Sequence, residues 1–184
     1  EQTSNGLRND DALQLQQAMT LELLYDQVNP VALEPAIAPH IAAEQAQKRL
    51  RVAQLSGFCR GVMMQRSDLL LVEGAGGWRV PLNNIETLAD LAKDLQLPVI
   101  LVVGMKLGCI NHALLTVEAI ARDGLVLAGW VANDVSEMSA YQENLNTLNH
   151  LLPAPCLGVV PVLDEVSAVA AAEYVDLTPL LLGK

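Results

Sequence analysis

The chain has 184 residues, 52% of them hydrophobic and 17% charged, which is enough for one globular domain with a sizeable core. Only 3% are aromatic, so packing must rest on Leu, Val, Ile and Ala, a composition that suits parallel strands covered by helices. A formal charge of −10 argues against nucleic acid and anionic membrane, both of which need a positive field, though not against a small anionic ligand held by backbone N–H groups and a metal.

Cys59, Cys109 and Cys156 are far apart and belong to no Cys-x-x-Cys or Cys/His cluster, so free thiols in a reducing cytosol are expected rather than zinc or disulfides. The longest apolar run, Leu97 to Val103, contains Pro98 and is too short to span a bilayer. No positively charged n-region precedes an apolar stretch, and a soluble cytoplasmic protein is expected.

In chain order, residues 1–6 read as loop, and Asn9-Asp10-Asp11 offers an N-cap to a helix carrying Leu13, Leu15, Met19 and Leu23. Residues 28–40 carry three prolines before His40 and read as extended and stiff. His40, beside Pro39, reads as a surface or helix-start residue. Residues 41–66 are helix-compatible through Ile41, Leu50, Val52, Leu55, Val62 and Met63, with Gly57 and Gly61 as weak points.

The run Leu69 to Val72 has the length and bareness of a parallel strand buried on both faces, with Glu73 at its C-terminal end. In open α/β sheets that edge binds ligands, because helices start there with free N–H groups. Gly74, Gly76 and Gly77 let the backbone turn and approach a phosphate or carboxyl group. A carboxylate followed by bare backbone donors suits Mg2+ on a polyphosphate; the same residues would also serve as a strand end and a turn.

Asn83-Asn-Ile-Glu86 has capping-box spacing and predicts a helix start, with Leu88, Leu91 and Leu95 on the buried face. After Pro98, Val99 to Val103 reads as the next buried strand, completing a βαβ unit. Residues 104–112 form the following loop, with Asn111 starting a helix that ends near Asp123-Gly124. The N–H groups around Cys109, Ile110 and Asn111 are placed to bind an anion, and no base that would make Cys109 a nucleophile is identifiable nearby. Val126 to Ala132 is a third strand ending at Asn133-Asp134, where an Asn amide can pair with a purine edge or simply cap a turn. Tyr141 opens a helix with Leu145, Leu148 and Leu151, and Cys156 to Val160 is a last short strand before Pro161, Val162 and Leu163. The expected fold is one α/β domain over residues 1–184, a mostly parallel sheet with helices on both faces.

Val72-Glu-Gly-Ala-Gly-Gly-Trp78, Pro98-Val-Ile-Leu-Val-Val-Gly104, Lys106-Leu-Gly-Cys-Ile-Asn-His112 and Gly129-Trp-Val-Ala-Asn-Asp134 together resemble the dethiobiotin synthetase family, in order and from about Gly6 to Pro161. The resemblance implies a P-loop NTPase-like three-layer architecture and an ATP- and Mg2+-dependent homodimeric ligase. Such an enzyme closes the ureido ring of dethiobiotin from 7,8-diaminopelargonic acid and CO2, through a carbamate and a carbamic-phosphoric anhydride. It assigns metal binding to Asp11 and Glu73, leaving Asp10 as the helix cap. ATP contacts fall to Asp11, Glu73, Gly74, Ala75, Gly76, Asn133, Asp134, Pro161, Val162 and Leu163, with one of Asp164 and Glu165 also touching the nucleotide. Substrate contacts fall to Gly76, Gly77, Cys109, Ile110, Asn111 and Tyr141, and the segment bearing His40 runs near the diamino acid.

The sequence contains no Gly-Lys-Ser or Gly-Lys-Thr, whereas such enzymes carry Gly-x-x-x-x-Gly-Lys-Ser/Thr between a first strand and helix. The resemblance places that loop, with a βα unit and a second strand on the order of 40 residues long, ahead of Glu1. No catalytic residue is then expected within 1–184, and these residues alone should be nearly inactive, since positioning and charge stabilisation by that loop do most of the work in phosphoryl transfer. A regulatory or partitioning ATPase would need a membrane-targeting helix or a basic DNA-binding face, neither of which is visible. A non-catalytic dimerisation module is the third reading.

Overall fold

A computed structural model describes residues 2–4 and 6–181, in two compact units, residues 1–95 and 96–184. In the first, β1 (Gln2–Thr3) and β2 (Gly6–Leu7) pair antiparallel, where the sequence predicts loop. Glu1 and Asn5 of that expected loop lie outside the described residues. Then follow α1 (Asp10–Ala18), α2 (Tyr25–Val28), α3 (Pro39–Gln45), α4 (Val52–Met63) and α5 (Leu88–Leu95). Leu50, Val52, Leu82, Leu91 and Ala43 form the core of this unit. Fully buried Ser56 of α4 is hydrogen-bonded to the Asp94 carboxylate of α5, which also pairs with Arg60 at 2.9 Å.

The helix expected over 41–66 is two helices. α3 ends with Gln47 at φ +54, the Gln47 N–H on Glu44 O and the Lys48 N–H on Ala43 O at 2.8 Å, which is a Schellman ending. The left-handed position is usually glycine; with glutamine there, no stop is visible in the sequence. Gly57 and Gly61, the expected weak points, lie inside α4. The proline-rich segment carries no helix or strand between Asn29 and Ala38, and Pro39 takes the first turn of α3, where its missing N–H costs nothing.

Two other expectations fail in this unit. Leu69 to Val72 joins no strand ladder among the described residues, and Leu69 and Leu71 are 60% and 65% exposed. An apolar run becomes a buried strand only where neighbouring strands supply N–H and C=O partners along both edges. Asn83 does not start a helix either. Its Oδ1 accepts the N–H groups of Ile85 and Glu86, both at 2.9 Å, closing a local turn. α5 starts after Thr87, whose N–H and hydroxyl both donate to Asp90 Oδ2, at 2.8 and 2.9 Å.

The second unit follows the sequence closely. β3 (Val99–Met105), α6 (Cys109–Arg122), β4 (Leu127–Asp134), α7 (Tyr141–Leu151), β5 (Cys156–Val160), α8 (Ala168–Ala172) and α9 (Thr178–Leu181) occur in that order. The strands form a parallel sheet in the order β3-β4-β5, which makes the molecule an α/β protein with βαβ connections through α6 and α7. Leu101, Val103 and Met105 of β3, with Trp130 and Ala132 of β4, present one face to α6 and α7, whose Cys109, Ala113, Val117, Leu145 and Leu148 complete the core. α9 also approaches β4. α6 begins at Cys109, two residues before the expected Asn111, because Gly108 at φ +92 turns the chain into the helix. No helix among the described residues is long and apolar enough to cross a membrane.

Candidate functional site

In residues 1–95 the candidate groups sit on α1 and on the glycine run. Asn9, not Asp10, caps α1, its Oδ1 accepting the Ala12 N–H at 3.0 Å. Asp10 and Asp11 thus occupy the first turn, where the free N–H groups favour a carboxylate. The cap is fixed from behind by Tyr25, 8% exposed, whose hydroxyl accepts the Asn9 N–H at 2.8 Å and the Asn29 side-chain amide at 3.0 Å. The Arg8 guanidinium lies 4.0 Å from the centre of the Tyr25 ring. Tyr25 carries no signal in the sequence, since nothing in its spacing points to a residue sixteen positions earlier.

Glu73, Gly74, Ala75, Gly76 and Gly77 are all exposed in an irregular segment rather than at a strand end. Gly76 and Gly77 have φ +81 and +140, so this turn does use the freedom of glycine. The Asp11 and Glu73 carboxylates make no hydrogen bond or ion pair among the described residues. Exposed carboxylates of that kind match the oxygen donors that Mg2+ takes. No three His, Cys, Asp or Glu side chains cluster as a metal site among the described residues, so such an ion would complete its shell with water and phosphate oxygens. His40 is the second residue of α3, half-buried, with Nδ1 buried and without a partner among the described residues.

In residues 96–184 the candidates gather at the C-terminal rim of the sheet. Gly104, Asn133 and Val160 are register partners across the three strands, and Met105 pairs with Asp134. Asn133 and Asp134 therefore belong to the ladder, and Pro161, Val162 and Leu163 leave β5 beside them. Being adjacent on a strand, Asn133 and Asp134 point to opposite faces. Asp134 is in phase with Trp130 and Ala132, on the face covered by α6 and α7, and Asn133 is on the other. The two cannot serve one ligand face equally.

Asp134, Glu137, Met138, Ser139 and Tyr141 line an open cavity of about 550 Å3. Asp134 Oδ1 is buried with no hydrogen-bond partner among the described residues. Burial pushes the Tyr141 phenol above its usual range, and the nearby Asp134 carboxylate adds to the rise, so the hydroxyl stays protonated and able to donate. Glu137, Met138 and Ser139 are invisible to sequence reasoning, because nothing distinguishes them from an ordinary loop. At the start of α6, Cys109 is 4% exposed and its N–H is taken by Lys106 O at 2.9 Å. Cys109 belongs to the core, and the donors of this first turn that find no acceptor among the described residues are those of Ile110 and Asn111. Asp164 and Glu165 both lie exposed in the loop that follows β5.

The AAA domain family, of the P-loop NTPase type, matches residues 2–170. An ATP-dependent dethiobiotin synthetase BioD of Cellvibrio japonicus is 63% identical over 97% of this chain and 78% of its own length. Proteins of the same name from Marinobacter nauticus and Aeromonas salmonicida are 56% and 50% identical, over 98% and 97% of this chain and 80% of their own lengths. With that identity carried along nearly its whole length, on an α/β scaffold with the rim just described, the chain belongs to the enzyme family of ATP-dependent dethiobiotin synthetases.

Proposed function

We propose that this protein acts as an ATP- and Mg2+-dependent ring-closing ligase, which converts 7,8-diaminopelargonic acid and CO2 to dethiobiotin. One amine of the diamino acid forms a carbamate, ATP phosphorylates it to a carbamic-phosphoric anhydride, and the second amine displaces phosphate to close the ureido ring. The observation that carries this reading is the 63% identity to the Cellvibrio japonicus enzyme over 97% of the chain.

Within it, Asp11 and Glu73 hold Mg2+, whose bound form draws charge from the phosphate oxygens. Gly74, Ala75, Gly76 and Gly77 bring main-chain N–H groups to phosphate and substrate. Asn133 pairs with adenine, with Pro161, Val162 and Leu163 around the nucleotide, while Asp134, on the opposite face of the strand, stands beside Tyr141. Ile110 and Asn111 receive the substrate carboxylate with their main-chain N–H groups, Cys109 having spent its own on Lys106 O, and the protonated hydroxyl of Tyr141 donates to substrate. These groups recognise ligands; with no Gly-Lys-Ser/Thr in the sequence, residues 1–184 alone should turn over slowly. One α/β domain over residues 1–184, a homodimer and a cytoplasmic location complete the proposal, the first supported by a family match that runs through both units.

Titration calorimetry tests the assignment. The ligase binds both ATP·Mg2+ and the diamino acid, a nucleotide switch only the first, and a dimerisation module neither.

A further inference from the structure

Arg51, at the cap position of α4, offers no side-chain hydrogen bond, and the first turn of that helix holds no acidic residue. Its N-terminus is served from 34 residues away, by Glu86 Oε2, which accepts the Val52 N–H at 3.3 Å. The same oxygen accepts the Asn83 side-chain amide at 2.7 Å, and that amide also donates to Leu50 O at 2.8 Å. Residues 81–87 are thereby clasped to the start of α4, over the buried side chain of Leu82.

The clasp continues into the glycine turn. Pro81 and Thr87 form an isolated antiparallel bridge, and the Leu88 N–H donates to Val80 O at 2.8 Å. Val80 in turn abuts Gly76, since a Cβ there would lie 3.1 Å from Val80 Cγ2. The path runs from α4 through Glu86, Asn83 and Val80 to Gly76 without leaving this unit.

We infer that Asn83 and Glu86 are positioning residues for the Glu73–Gly77 turn. They fix where its carboxylate and N–H groups stand without touching the ligand, an inference that rests on reading the turn as the phosphate and substrate contact. A turn held only at its own ends would spend binding energy on ordering itself at each encounter.

The test compares the full-length protein with Glu86→Ala, Glu86→Gln and Asn83→Asp. Iodide quenching of Trp78 emission reads the turn directly, because Trp78 follows it and the other tryptophan, Trp130, is fully buried. Calorimetry reads the Kd for ATP·Mg2+. Glu86→Ala and Asn83→Asp should raise Trp78 quenching and weaken ATP·Mg2+ about fivefold, the scale of one lost hydrogen bond. Glu86→Gln should restore both, since its carboxamide oxygen still accepts from Val52 and Asn83. Asn83→Asp keeps the acceptor for Ile85 and Glu86, so it carries the test if Glu86→Ala fails to fold. Unchanged quenching in a folded variant overturns the inference. Raised quenching with Kd unchanged overturns it too, whereas a wild type that binds no ATP·Mg2+ refutes the ligand reading and leaves quenching to decide the clasp.

Discussion

The Tyr25 hydroxyl accepts the Asn9 backbone N–H at 2.8 Å, and by that bond the side chain of one helix sets the cap of another, two residues before Asp11. Tyr25→Phe keeps the ring and its contact with Arg8 but leaves the Asn9 and Asn29 donors without that acceptor. The expected cost is about 1 kcal/mol, a fall in Tm of about 2–4 °C for a chain of this size. Tyr25→Leu, which also loses the ring face, should cost more. Urea unfolding curves check both; an unshifted midpoint for Tyr25→Phe would mean that the hydroxyl does not hold the cap.

Asp11 and Glu73 make a contrasting pair of substitutions, because both are exposed and neither holds another side chain among the described residues. Asp11→Asn and Glu73→Gln should each change stability by no more than about 0.5 kcal/mol. In the full-length protein each should weaken Mg2+-dependent ATP binding by about 10–100-fold, the range found for groups that support a metal site, with turnover falling as well. Calorimetry at several Mg2+ concentrations checks this. Normal binding in Glu73→Gln would remove that carboxylate from the mechanism.

Strands β3, β4 and β5 are legible because a strand buried in a parallel sheet reads as an unbroken apolar run. Cys156 to Val160 has the expected bounds, and β3 and β4 extend two residues further, through Gly104-Met105 and Asn133-Asp134. The ladder continues there because backbone pairing is indifferent to side-chain polarity. Leu69 to Val72 has the same composition, yet its backbone partners are a property of other segments and cannot be read from the run. The helix boundaries are hidden differently. Gln47 takes a glycine's conformation, and Asn83 has cap spacing but spends its oxygen on Ile85 and Glu86. At the rim, the residue identities are legible, but the opposite facing of Asn133 and Asp134 requires the register.

The glycines separate into two classes with opposite expected signs. At Gly158 a Cβ would lie 2.2 Å from Tyr174 O, in backbone that cannot swing aside, and would pry residues 173–176 from β5, where the Asp176 N–H donates to Leu157 O at 2.7 Å. Gly158→Ala should destabilise by about 1–3 kcal/mol. Gly57 and Gly61, within α4, have nothing within 4 Å of where an alanine methyl would sit and no positive φ. Replacing either with Ala should stabilise by about 0.4–1 kcal/mol, through the reduced entropy of the unfolded chain. Thermal unfolding of the three variants decides the matter, and a stable Gly158→Ala would show that residues 173–176 do not pack on β5.

The N-terminus of α5 provides a pH test. The Thr87 N–H donates to the Asp90 carboxylate, with its hydroxyl and Lys93 at 3.2 Å in support, and these hold the Asp90 carboxyl below its ordinary value. A depressed folded-state value stabilises the protein above the unfolded pKa of about 3.9, and that contribution disappears as pH falls through the folded value. Asp90→Ala should therefore cost about 0.5–1 kcal/mol at pH 7, as for loss of a helix cap, with the Lys93 part small because both groups are solvent-screened. The difference between wild type and variant should hold from pH 7 to about 5 and shrink below about 4, where the wild-type carboxylate takes up its proton. Because every other titrating group is shared by the two proteins, the difference isolates Asp90. A gap that stays constant from pH 7 to 3 would mean that Thr87 does not depend on the ionised carboxylate.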